Sequence, residues 1–375
     1  MIVLIVYSFL IDKVIYIKFK DKTDYMYSKR VLFVKLFLLL ILVSCHNNYF
    51  KFPVKFSKVD INHVLIDSTL NIRALEIQGS NVYNATSSGD IYSFNINQPD
   101  LIKVESYKSE MDSILFPNFR SLAIVNEDIF SITIGNPALL FKNGEVVYRE
   151  VNKNVFYDSM DFWNAKEGLV VGDFMDGCIS VLITRNGGDN WEKLDCSNFD
   201  NPLKEEGFFA ASDTNISIVD NKVWVASGGI NSRVYYSEDK GKNWEIINTP
   251  IIQGESTKGI FSIDFYDKKN GFAIGGDYTK PLENISNKII TNDGGKTWKT
   301  VADNQSPGYR SCVQYFPNSN GKSLVTVGFN GIDISNDGGY TWNHISDEGY
   351  YTLRFSDDCT AYAAGSGKIS KLHFK

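Results

Sequence analysis

Through most of the chain, a short run of alternating apolar and polar residues leads through a turn into small and β-branched residues ending near glycine. Residues 263–265 stand before Gly271-Phe-Ala-Ile-Gly275, 160–162 before Gly168-Leu-Val-Val-Gly172, and 353–355 before Tyr362-Ala-Ala-Gly365. The same rhythm joins 218–219 to Val223-Trp-Val-Ala-Ser-Gly228, 73–77 to 82–86, and 120–125 to 129–135. A two-residue period predicts strands, and the turns between them predict antiparallel hairpins. Small residues suit strands that crowd together at the centre of a radial arrangement of sheets.

A second pattern lies over the first. It reads Thr184-Arg-Asn-Gly-Gly-Asp-Asn-Trp191, Ser237-Glu-Asp-Lys-Gly-Lys-Asn-Trp244, Thr291-Asn-Asp-Gly-Gly-Lys-Thr-Trp298 and Ser335-Asn-Asp-Gly-Gly-Tyr-Thr-Trp342. The tryptophans lie 53, 54 and 44 residues apart, a spacing that points to propeller blades. Asn186, Asp239, Asp293 and Asp337 are placed to accept backbone N–H bonds across a hairpin turn. Gly188, Gly241, Gly295 and Gly339 supply positive φ where a side chain would clash, and Trp191, Trp244, Trp298 and Trp342 pack under the turn. These are Asp boxes, the repeat first associated with bacterial sialidases, and they are expected to be folding pins on outer hairpins.

Counting the expected first strands, near residues 73, 120, 159, 210, 262, 311 and 353, gives an all-β, seven-bladed β-propeller, with six or eight blades as the neighbouring counts. The last unit has only three strands, and residues 52–59 alternate like an unpartnered one. Pairing that strand with the last blade would close the ring and remove two exposed edges.

Composition agrees with strands: aromatic residues make up 14% of the 375, with 25 Phe and 20 Tyr. The four histidines, His46, His63, His344 and His373, are scattered singly, which gives little support to a metal site or a His-based triad. A net charge of −6 argues against a nucleic-acid partner.

The N-terminus changes the picture of location. Met26 opens a short basic stretch, followed by the apolar run 36–43 and Leu42-Val43-Ser44-Cys45. That pattern is similar to bacterial lipoprotein signals, in which cleavage leaves the cysteine lipidated. Residues 1–25 fit no export signal and are expected to be an extra leader or a mis-assigned start. The segment 26–44 is the signal peptide, and 45–375 form one domain. Removing residues 1–44, with seven basic and three acidic side chains, leaves a net charge of −10. The expectation is a monomeric protein in the bacterial cell envelope, anchored by lipid at Cys45 on the periplasmic face or cell surface. Cys178 and Cys196 flank an expected hairpin, where a disulfide or two buried thiols would fit; Cys312 and Cys359 share no obvious position.

From about residue 119 to 372 the chain resembles exported bacterial propellers related to the photosystem II stability and assembly factors. The likeness is carried by Phe119-Arg-Ser, Ser131-Ile-Thr-Ile-Gly-Asn-Pro-Ala138, Met160-Asp-Phe-Trp163, Val171-Gly-Asp173, Gly254-Glu255, Gly259-Ile-Phe-Ser262, Gly275-Gly-Asp-Tyr278, Tyr309-Arg-Ser311 and the four tryptophan turns. The resemblance implies an assembly role, with an arginine-rich propeller face that meets a partner. Relatives are often called oxidoreductases, an alternative that would place a quinone-type cofactor in the propeller.

Aligning the first strands puts Arg73, Arg120, Asp158, Ala210, Phe261, Arg310 and Tyr351 at equivalent positions around one mouth of the ring. Three arginines converging in an acidic chain would attract an anion; the alternative is that each bridges to a neighbouring blade's carboxylate. The preferred function is a non-catalytic binding or assembly platform for a protein or acidic peptide, with Tyr351 and Phe261 giving apolar contact. The competing function is a sialidase-like glycoside hydrolase acting on an acidic sugar, with Arg73, Arg120, Arg310, Asp158, Glu206 and Tyr351 in its site and Glu255 nearby. Against it, the Phe-Arg-Ile-Pro motif of true sialidases is absent: Phe119-Arg120 continues Ser-Leu.

Gly295-Lys296-Thr297 and Gly321-Lys322-Ser323 lack the earlier glycine of a phosphate-binding loop, and no Gly-x-Gly-x-x-Gly opens a helix. The carboxylates of the Asp boxes lack calcium-loop spacing. No catalytic residue, metal or cofactor is assigned from sequence.

Overall fold

The computed structural model describes residues 55–107, 117–200, 203 and 206–375. Cys45, the apolar segment 26–44 and residues 1–25 lie outside the described residues. The described chain is built of antiparallel strands with one short 3-10 turn, Cys196–Asn198. Four sheets have four strands each. They are Phe119–Val125 to Glu145–Glu150, Tyr157–Phe162 to Glu192–Lys193, Ile216–Val219 to Glu245–Asn248, and Cys312–Tyr315 to Asn343–Ser346. A fifth runs Lys258–Phe265, Gly271–Asp277, Lys288–Thr291, Lys299–Thr300, with the short strands Gly228–Gly229 and Glu206–Gly207 added to its first edge.

The sixth sheet has seven strands because one long strand, Val59–Gln78, serves both halves. Its first part pairs with Ser366–Phe374, Val59 facing Phe374 and Ile66 facing Lys368. Its second part pairs with Asn81–Thr86, Ile72 facing Thr86 and Gln78 facing Asn81. The N-terminal pairing strand therefore begins at Val59, where sequence alternation put it at 52–59; residues 52–54 lie outside the described residues. Residues 55–58 are not strand. The partner strand ends at Phe374; beyond it Ser57 and Lys58 donate to the carbonyl of Lys375, whose own N–H donates to Lys58 O.

The expected first strand near 210 also differs. Residues 209–211 turn tightly, with Ala211 N donating to Phe209 O, and Asp213 takes φ 57°. The first strand of that sheet is Ile216–Val219. The reason is tertiary: Ser212 Oγ donates to Ser311 O and Thr214 Oγ1 to Ser262 Oγ, so this segment bonds to other sheets instead of extending.

Neighbouring sheets pack face to face through apolar side chains. Phe272, Ile274 and Ile290 of one sheet, for example, meet Val313, Tyr315 and Leu324 of the next. Hydroxyls tie the first strands together where they crowd. Val313 N donates to Ser262 Oγ at 2.9 Å, and Ser311 Oγ donates to Tyr351 O at 2.7 Å. Buried polar groups matched in this way fix the angular position of each sheet as well as its stability.

The tryptophan turns join third to fourth strands. Asn190, Asn243, Thr297 and Thr341 each donate a backbone N–H to the side chain of Asn186, Asp239, Asp293 and Asp337, at 2.9–3.1 Å. Trp191, Trp244 and Trp342 donate Nε1–H to the turn glycine's carbonyl, while Trp298 meets the Phe265 ring edge-on. The glycines are required twice over. Gly188 and Gly339 have φ of 79° and 92°, and an added Cβ would lie 2.3 Å from Phe130 and 2.2 Å from Phe272 respectively. Each turn therefore seats directly on a ring of the preceding sheet. Cys178 and Cys196 form a disulfide, which the sequence left open; Cys312 and Cys359 are free thiols.

Candidate functional site

The side chains at the N-terminal ends of the first strands owe their direction to β-bulges. Register shifts fall between Ile72 and Ala74, between Phe119 and Ser121, and between Ile260 and Ser262. In the Tyr157–Phe162 strand, Ser159 faces Val171 while Tyr157 faces Gly172. Arg73, Arg120, Phe261 and Asp158 are thus the extra residues of four bulges at one level. A bulge re-aims the side chain it inserts, so the four are turned out of the alternation of their strands. Tyr351 immediately precedes the strand Thr352–Phe355, and Arg310 lies just before Cys312–Tyr315.

Arg73, Arg120 and Tyr351 come together. The Arg73 guanidinium lies 4.1 Å from the centre of the Tyr351 ring, a cation–π contact. Its Nη1 donates to Ala211 O at 3.3 Å, and its Nε is buried without a hydrogen bond. Arg120 donates from Nε to Asn118 Oδ1 at 3.2 Å and from Nη1 to Ala210 O at 3.4 Å. Neither arginine forms an ion pair with a carboxylate among the described residues. Burial, then the adjacent Arg73 charge, pull the Arg120 pKa down to about 10. Asp158 is fully buried beside them. Burial first, then Asp173, raise its carboxyl well above the usual range, while the Arg120 charge pulls it back down.

Arg310 and Phe261 are placed differently. Arg310 is 5% exposed and donates from Nε to Asp333 Oδ2 at 2.7 Å, with its Nη2 2.6 Å from the same oxygen in an ion pair within its own sheet. Phe261 is buried, stacked at 3.7 Å on Phe209 and edge-on to Tyr309 at 4.7 Å. This aromatic floor continues outward through Tyr278 and Phe329, which are 46% and 44% exposed. Sequence reading missed Phe209, Tyr309 and Phe329, because no periodicity reveals which loop aromatics meet across sheets. Of the acidic residues considered for sugar chemistry, Glu206 is buried in an ion pair with Arg233 and accepts from Tyr235 Oη at 2.9 Å. Glu255 is held by Lys258.

The same first strands carry a second, unforeseen cluster three residues further on. A cavity of about 210 Å³ is lined by Glu76, Asp161, Asp213, Asp264 and Arg354, among others. Arg354 donates to Glu76 Oε1 and to the backbone carbonyl of Asp213, both at 2.8 Å. Burial raises all four carboxyls, Asp161 to about 7 and Asp264 to about 6. No group of three or more acidic, His or Cys residues among those described is arranged to hold a metal ion.

No protein-family profile matches the chain, and comparison with curated proteins gave no match. Solved structures do match. "YCF48 bound to D1 peptide" superposes with a TM-score of 0.58 at 11% identity, over 86% of this chain and 98% of that one. "Crystal structure of RRP9 WD40 repeats" gives 0.61 at 10% identity, over 86% and 100%. With repeated antiparallel sheets meeting at their first strands, this likeness shows the fold: the chain is a β-propeller.

Proposed function

We propose that this protein is a binding platform whose propeller face takes a protein or peptide carrying an acidic group, with no catalytic step. The observation that carries the reading is the pair Arg73 and Arg120, half-buried side by side without a carboxylate partner among the described residues. An anion from a ligand would relieve their mutual repulsion and form charge-assisted bonds with rigidly held donors. Tyr351, Tyr278 and Phe329 supply apolar area beside that point, as interface anchors do. That a neighbour in fold is "YCF48 bound to D1 peptide" supports a peptide or protein ligand. Of the acidic residues the glycosidase reading uses, Glu206 is held in a buried ion pair with Arg233, which weighs against that reading.

In this reading the sheets form seven four-stranded blades, with Val59–Ile66 completing the last and closing the ring, and the tryptophan turns are Asp boxes. The protein works in the cell envelope, held by lipid at Cys45. The test is a photo-crosslinking residue at position 351 in living cells, followed by mass spectrometry of adducts. A discrete protein adduct that disappears when Arg73 and Arg120 are both changed to alanine is the expected result. Adducts unaffected by that change, or none from a correctly folded protein, would overturn the proposal.

A further inference from the structure

We propose that His344 is a proton-operated latch on the connection that leads to Tyr351. It stands on the outer strand Asn343–Ser346, facing Asp333 across the sheet. Its Nδ1 lies 3.1 Å from Asp333 Oδ1 and its Nε2 lies 2.9 Å from Asp347 Oδ1. An ionised carboxylate only accepts hydrogen bonds, so both contacts form only when both ring nitrogens carry hydrogen. The bridge therefore requires the imidazolium.

The charged and titratable groups facing the ring are Asp333 on the third strand, Asp347 on the following loop, and Arg310 on the inner side, beyond Asp333. Partial burial works against the charge, but the bonds to Asp347 and Asp333 outweigh it and raise the histidine's pKa. Asp333 is almost fully buried and its other oxygen holds Arg310, whereas Asp347 is fully exposed. On losing its proton, His344 keeps Nδ1–H on the buried Asp333 and releases Asp347, because the exposed carboxylate can turn to water. Asp347 begins the connection to the next first strand, and Tyr351, stacked on Arg73, lies four residues beyond it. The start of the loop is thus pinned below the histidine's midpoint and looser above it, while Tyr350 and Tyr351 stay held through their N–H groups by Gly328 O and Ala364 O. The bearing of this latch on ligand binding rests on the function proposed above; the latch itself does not.

The test uses the folded protein without ligand. Nitrogen NMR of the His344 ring is followed from about pH 5 to 9, together with hydrogen exchange at residues 347–349 corrected for its intrinsic pH dependence. The expected midpoint lies above 6.5, with exchange in 347–349 rising about two- to fivefold across it, as suits a surface ion pair. Asp347→Asn should lower the midpoint and show the faster exchange already at low pH. A midpoint at or below 6.5 in the unmodified protein would overturn the latch, as would exchange that ignores the titration. Since no ligand is present, either result leaves the crosslinking test of the binding face independent.

Discussion

The three arginines that sequence alignment puts in one ring should respond differently to truncation. Arg310 and Asp333 are 5% and 1% exposed and share one charge-assisted hydrogen bond of 2.7 Å and an ion-pair contact of 2.6 Å. Arg310→Ala leaves Asp333 buried, with His344 bonded to it and Lys288 near enough to interact. Removing one partner of a buried pair costs about 3–5 kcal/mol. The entropy of unfolding, about 2.1 cal/mol/K per residue, sums over Pro53–Lys375 to roughly 0.7 kcal/mol/K. The melting temperature should therefore fall by about 4–7 °C. Arg73→Ala and Arg120→Ala remove half-buried charges that face each other without a carboxylate, so each should shift melting by less than about 2 °C. Adding Asp333→Asn to Arg310→Ala should recover part of the loss, because the stranded charge is gone. Differential scanning calorimetry at neutral pH measures all four variants. If Arg310→Ala melts within about 2 °C of the parent protein, or if Arg73→Ala is as damaging, the division into a structural tie and a binding pair is wrong.

The acidic cavity gives a pH signature of definite sign. Asp161 has its pKa raised to about 7 by burial first and Glu76 second, so the native state binds a proton that the unfolded chain releases near 4. Its contribution is complete at low pH and disappears as pH rises from about 4 to 7, amounting to about 4 kcal/mol at most. Asp161→Asn should therefore gain stability over the parent protein as pH is raised, measured by urea unfolding at pH values of about 4.5 and 7.5; a difference independent of pH would refute it. The Cys178–Cys196 disulfide closes 18 residues, so a double serine variant should lose about 3 kcal/mol. Thiol titration of the soluble domain lacking Cys45 should find only Cys312 and Cys359, and only after unfolding for the buried Cys312. Gly339→Ala meets both the positive φ and the Phe272 ring, and should cost at least about 2 kcal/mol in the same urea assay.

Strand positions in most units, the tryptophan turns and the repeated organisation were legible because they depend on local chemistry. Alternation, turn glycines and short-range side-chain-to-backbone bonds are written within ten residues of one another. The level of Arg73, Arg120, Asp158 and Phe261 was also legible, since aligned first strands put equivalent residues at equivalent heights. Which of them stay open to a ligand was not. Asp333, 23 residues from Arg310, claims one guanidinium, and Phe209 covers Phe261 from a segment that alternation misread as strand.

Sequence by itself determined an all-β repeated chain and its turns. Only the tertiary structure decided that bulges turn four first-strand side chains out of their strands, that Arg73 and Arg120 lack acidic partners among the described residues, and that carboxyls gather three residues further on. The physical reason is range. Backbone propensity and turn chemistry act between near neighbours, whereas burial and side-chain pairing also bring together segments more than a hundred residues apart, as with Arg354 on Glu76 and Asp213.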